Sequence, residues 1–135
     1  MKSPFTLSTT LKIFRIAVAC FMLIHGITRI KHGSVGGFGE FLEGYGFPLG
    51  FYLAWTITIF EIAGTVSLMF GYFVTVISLL FALELVVGIV LVHAANGWFV
   101  VGGGTGGMEY SVLLIVCFLL IAVSDKKNQM FYFSK

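Results

Sequence analysis

Seven ionisable side chains fall within or at the edge of long apolar stretches: Arg15, His25, Arg29, Glu61, Glu84, His93 and Glu109. In hydrocarbon such groups are costly, so each needs a counter-charge, a neutralising proton or a path to water, and each is a candidate for ligand binding or proton transfer. Glu61 and Glu84 can take up a proton, and His25 and His93 can donate or accept one. Arg29 cannot shed its proton, so at depth it needs an acid or the headgroup region. Glu61, His25 and Glu84 form the expected ligand or proton site. Arg29, His93, Glu109 and Tyr110 form an expected polar cluster towards the outer surface.

The elements that carry these groups follow from composition. Of 135 residues, 59% are hydrophobic and 10% are charged, against roughly 25% charged in ordinary globular chains. Mean hydropathy is +1.04. A chain this short leaves much of its surface outside any core, so the partner that covers the apolar remainder is the lipid bilayer. A soluble enzyme and a disordered chain are excluded. Eight Lys and Arg at net charge +2 make no basic face for nucleic acid.

A spanning helix needs about 20 mostly apolar residues, and four segments fit: about 11–30, 50–70, 72–95 and 108–124. The expected fold is an all-α membrane protein, one integral domain over 1–135, with four transmembrane helices in an antiparallel bundle. The first segment has no small-x-small site to close it, so it reads as a retained helix and not as a signal peptide. Between the first two spans, Phe38, Phe41, Leu42 and Tyr45 recur at i, i+3, i+4 and i+7, which predicts a short amphipathic helix in the membrane interface. The glycine run 102–107 predicts a flexible, uncharged loop before the fourth span.

Depth follows from a rise of about 1.5 Å per residue. With Lys12 at the inner edge, His25 lies about 20 Å in and Arg29 about 26 Å; Glu61 lies about 15 Å from Gly71. Glu61, Glu84 and His25 therefore fall near the midplane, and Arg29, His93 and Glu109 towards the outer surface. By level, Glu109 is the first expected partner of Arg29 and Glu61 the second. On the second helix, Thr58, Glu61 and Thr65 share one face beside Gly64, and that face should point into the bundle. Glu84 and His93 are nine residues apart and point in nearly opposite directions unless the helix bends or ends between them.

Other patterns carry less. Gly102-x-Gly104-x-x-Gly107 has the letters of a dinucleotide fingerprint but follows a membrane helix, not a strand. Cys20 and Cys117 are single residues in the first and fourth spans, with no C-x-x-C. His25 and His93 differ by about 11 Å in depth, which does not suit two axial haem ligands. No metal site is expected.

The ordered set of motifs resembles a known family. His25-Gly26, Arg29 and Lys31 end the first helix, and Gly46-Phe47-Pro48 opens the second. Glu61-Ile62-Ala63-Gly64, Leu68 and Gly71 follow, and His93 ends the third. Asn96-Gly97-Trp98-Phe99 and Glu109-Tyr110 flank the glycine run. Over about residues 11–124 this resembles the DoxX family of small four-helix bacterial membrane proteins. The family pattern marks His25, Gly26, Lys31, Glu61, Gly64, His93, Glu109 and Tyr110. Glu84 departs from it, standing where an apolar residue is usual, and the usual Gly-Pro-Gly and Ser-Leu-Asp ending is reduced to Ser124-Asp125.

The resemblance implies an accessory subunit of a quinone-linked membrane oxidoreductase system in the bacterial inner membrane. Quinone would be the bound small molecule, redox subunits or a second copy of the chain would be partners, and no cofactor would be held covalently. Two other readings stay open: a small proton-coupled transporter or exporter, and a non-catalytic assembly or scaffold protein whose polar groups only fasten helices.

Orientation follows from the basic residues. Lys2, Lys12, Arg15, Lys126, Lys127 and Lys135 lie on the side of the termini, and only Arg29 and Lys31 lie opposite. Both termini are therefore expected in the cytoplasm. A reporter active only in the periplasm, fused after Lys135, should be silent; a strong signal would reverse the orientation.

Overall fold

The computed structural model describes residues 6–133, with side chains described through Asp125. Among the described residues there are five α-helices and no strand. The chain divides into two compact units, Met1–Tyr72 and Phe73–Lys135.

In the first unit, helix α1 spans Leu7–Lys31. Thr6 caps it, its hydroxyl accepting from the Thr9 N–H at 3.2 Å, which satisfies one of the otherwise orphaned N-terminal donors. Arg29 and Lys31 occupy the last turn, where cations suit the negative end of the helix dipole. Helix α2, Val35–Gly44, follows after a short turn, and helix α3 covers Gly50–Phe70.

The sequence places the aromatic stripe of α2 on its apolar face, and Phe38, Phe41 and Tyr45 do form a ladder of ring contacts. The buried seam is a neighbouring one, however: Val35, Gly39 and Leu42. Gly39 brings the α2 backbone against the start of α3, where a Cβ would stand 2.8 Å from Phe51 Cα. That close approach turns the larger aromatic side chains to the flank.

Helix α3 begins after Leu49, which has a left-handed φ of 58° and no side-chain cap; that conformation costs a non-glycine residue roughly 1–2 kcal/mol. Glu43, from the last turn of α2, supplies the cap instead: its carboxylate accepts the Gly50 N–H at 3.0 Å, placing negative charge at the positive end of α3. At the other end Gly71, with φ 85°, closes the helix. Tyr72 N–H bonds to Ser67 O and Gly71 N–H to Leu68 O, the paired bonds of a Schellman ending, which favours glycine.

Helices α1 and α3 run antiparallel in one register. The Thr65 hydroxyl reaches the Ala19 carbonyl, Gly26 lies against Thr58, Glu61 and Ile62, and Arg15 lies against Gly71. The α3 seam of Ala54, Thr58, Glu61, Thr65 and Leu68 is buried, as steps of three and four residues require.

In the second unit, helix α4 spans Val74–Gly88, followed by a π-turn at Ile89–His93 and a 3-10 turn at Ala94–Asn96. Helix α5 spans Glu109–Phe133. The core is the fully buried pair Phe81 and Phe118, with ring centroids 5.2 Å apart. Thr75 donates to the Ala122 carbonyl and to Asp125, so α4 and α5 are antiparallel. Helix α5 continues past residue 124, where the fourth apolar segment ends. Charge at Asp125 ends the apolar run, but Lys, Gln and Met are good helix formers and the backbone ladder carries on.

Among the described residues, three helical segments are long and apolar enough to cross a membrane: Leu7–Lys31, Gly50–Phe70 and Val74–Asn96. Large apolar side chains along them remain exposed, among them Ile24, Ile59, Leu83 and Val90. Contact with lipid would cover them.

Candidate functional site

Glu61 occupies the middle of α3 and is 2% exposed. Its carboxylate is held by a fork: Arg29 Nη1 donates to Oε2 at 2.5 Å and Nη2 to Oε1 at 3.2 Å. Paired bonds of this kind combine charge with fixed geometry. The fit is a product of local structure on both helices. Side chains on a helix lean towards its N-terminus, so Arg29, near the end of α1, reaches back along the helix towards Glu61.

Two further groups complete the pair. Thr58, one turn before Glu61, donates its hydroxyl to the Ala54 carbonyl at 2.7 Å and accepts from Arg29 Nη1 at 3.0 Å. The ring of Phe38, from α2, lies over the guanidinium, 4.4 Å from Cζ to centroid. That cation–π contact covers one face of the ion without removing its charge. Gly26 makes the arrangement possible, since a Cβ there would stand 2.9 Å from Ile62 and 3.2 Å from both Glu61 Cβ and the Thr58 carbonyl. Thr65, one turn after Glu61, donates to the Glu61 carbonyl at 2.6 Å.

Arg29 thus takes the partner that its level on the helix ranked second. Glu109, ranked first, has a different role: its Oε1 accepts the Val100 N–H at 2.9 Å. The reason lies in side-chain reach. Reckoning by Cα height ignores that a long guanidinium stem leans back over the preceding turn of its helix. Phe38 as a lid on Arg29, and Glu43 as the cap of α3, are not legible in helical periodicity, because both depend on how α2 folds back on α3.

The remaining predicted residues lie elsewhere. His25 is on α1 one turn before Arg29 but is exposed, one position off the buried Met22 and Gly26 line. Glu84 is half-buried in α4. His93 ends the π-turn, its Nδ1 2.7 Å from the Gly106 carbonyl oxygen; because a carbonyl only accepts, Nδ1 carries the hydrogen there. The π-turn at Ile89–His93 lies between Glu84 and His93, so regular α-helical spacing does not hold over the whole stretch that separates them. Tyr110 is 36% exposed.

His93 and Glu109 therefore both fasten the loop 97–108. That loop also bonds to itself, Gly107 N–H to Phe99 O, Met108 N–H to Gly97 O and Glu109 N–H to Trp98 O. The glycine run is a closed turn, not the open linker its composition suggests. Among the described residues no group of three or more His, Cys, Asp or Glu could hold a metal ion. Cys20 and Cys117 are free and half-buried.

A sequence profile of the DoxX family matches residues 10–94. The chain belongs to the DoxX family. The match contains the Arg29–Glu61 pair and ends before the Asn96–Phe99 and Glu109-Tyr110 motifs. Among curated proteins and among solved structures, none matches this chain. The site of this DoxX protein therefore rests on its own geometry.

The pair generates a sharp expectation. Removing one member of a buried ion pair strands the other, at a cost of about 3–5 kcal/mol, whereas replacing both with apolar residues is often neutral. Arg29→Met and Glu61→Leu should each lower thermal stability in detergent, and the double variant should recover most of the loss. Additive losses in the double variant would show that the two side chains do not depend on each other.

Proposed function

We infer that this DoxX protein is an accessory subunit of a quinone-linked membrane oxidoreductase system. It forms one integral membrane domain that crosses the bacterial inner membrane four times, with α5 as the fourth span and both termini in the cytoplasm. The observation that carries this reading is the Arg29–Glu61 pair. Both of its ions are satisfied inside one helical pair, so the chain offers a rigid polar fastening within an apolar surface. Such a platform suits docking beside a subunit that performs the electron transfer. Glu61, engaged on both oxygens, is poorly placed to release and reload protons for a transport cycle.

The chain's own residues fit a quinone on the exposed side of α1. Its ring needs apolar or aromatic contact, and its two carbonyls need donors. Phe21 and His25 are exposed one turn apart, and the Arg29 side chain, one turn further, keeps 17% of its surface exposed. His25 would donate to a carbonyl and Phe21 would pack on the ring. A bound quinone supplies a two-electron carrier; His25 holds or passes a proton at its imidazole.

Gentle purification of the full chain from native membranes, followed by mass spectrometry of bound proteins and bound quinones, tests this reading. Redox subunits and quinone should both be retained. His25→Ala should lose the quinone while keeping wild-type thermal stability. A stable complex without quinone would favour the scaffold reading, and proton-driven uptake by vesicles holding the chain alone would favour transport; either result overturns the proposal.

A further inference from the structure

Helix α1 carries a second arginine whose situation is the reverse of Arg29's. Among the described residues Arg15 has no hydrogen-bond or ion-pair partner, and its Nε is buried. Its guanidinium lies against Gly71, with Nη2 3.1 Å from where a Cβ on that glycine would stand. It is therefore seated at the C-terminal end of α3, where the helix dipole favours a cation. Lys12, three residues earlier and a neighbour on the helix surface, is exposed.

No acid of the first unit serves this end. Glu61 is held by Arg29, Glu43 caps the far end of α3, and Glu40 is on α2. The residues next in sequence to Lys12, Arg15 and Gly71 are largely apolar, and Ile13, Ile16, Phe70 and Tyr72 are all exposed. Because side chains lean towards the helix N-terminus, the Arg15 guanidinium extends along α1 towards Lys12, where a spanning helix would enter the headgroup layer.

We propose that Arg15 and Lys12 form a binding site for the phosphate of an anionic phospholipid, at the membrane face where α1 begins and α3 ends. The planar guanidinium fork matches two phosphate oxygens, the Lys12 ammonium adds a second charge, and the apolar residues around them take the acyl chains. The site lies apart from His25 and Arg29, and does not depend on the redox reading.

The test uses the full chain, delipidated in a neutral detergent and titrated with phosphatidylglycerol, phosphatidylcholine or inorganic phosphate. Native mass spectrometry reads lipid retention and thermal unfolding reads stabilisation. Phosphatidylglycerol should be retained and should raise the melting temperature; phosphatidylcholine and inorganic phosphate should do neither. Each of Lys12→Gln and Arg15→Gln should weaken retention about five-fold, the effect of one basic residue at a charged lipid surface. Arg15→Lys should weaken it less than Arg15→Gln, and keeps the test open if Arg15→Gln fails to fold. Equal retention of the two lipids by the wild type, or unchanged retention in Lys12→Gln and Arg15→Lys together, would overturn the proposal. An equal shift with inorganic phosphate would assign the site to free phosphate and overturn the lipid assignment.

Discussion

An arginine on an apolar helix keeps its charge, and the first unit is organised around that fact. Arg29 meets a carboxylate on both of its terminal nitrogens, a hydroxyl on one of them and an aromatic ring across its face. In a low-dielectric setting an ion satisfied in this way is tolerated, and one left with a missing partner is not. The geometry of α1, α2 and α3 follows from meeting that requirement.

The register of the α1–α3 pair has one setting that serves it. Gly26 must face the turn that holds Thr58 and Glu61, because a Cβ there would collide with α3. Once that contact is made, Thr65 falls opposite Ala19 and Arg15 opposite Gly71. Helix α2 must then fold back far enough to lay Phe38 over Arg29, and the Glu43 cap on Gly50 holds it there. The second unit solves a different problem with similar means: His93 and Glu109 close a glycine-rich loop, while Phe81 and Phe118 pack the helices on either side of it.

Much of this is legible in the sequence, for identifiable reasons. The first three apolar runs are long, so the helical segments that hold them are found to within a few residues, whereas the fourth run is only part of a longer helix, Glu109–Phe133. The seam of Thr58, Glu61 and Thr65 is visible because helical periodicity is strict over three turns. The profile match over residues 10–94 agrees with a resemblance carried by His25-Gly26 and by Glu61 to Gly64. Tertiary choices are not legible in the same way. Helical rise offers Arg29 two acids by level, Glu109 and Glu61, and periodicity alone does not choose between them. The π-turn at Ile89–His93 has no proline to announce it. The glycine run reads as slack chain because the side chains that pin it come from residues on either side.

The first unit depends on Glu61 being an ion-paired carboxylate within an apolar helix pair. Infrared difference spectroscopy of the full chain in lipid, comparing wild type with Glu61→Gln, reads that state. The substitution should remove a carboxylate stretching band of a guanidinium-bound group, and Arg29→Lys should shift the same band. Loss of a protonated carboxyl band in its place would show that Glu61 is not ion-paired.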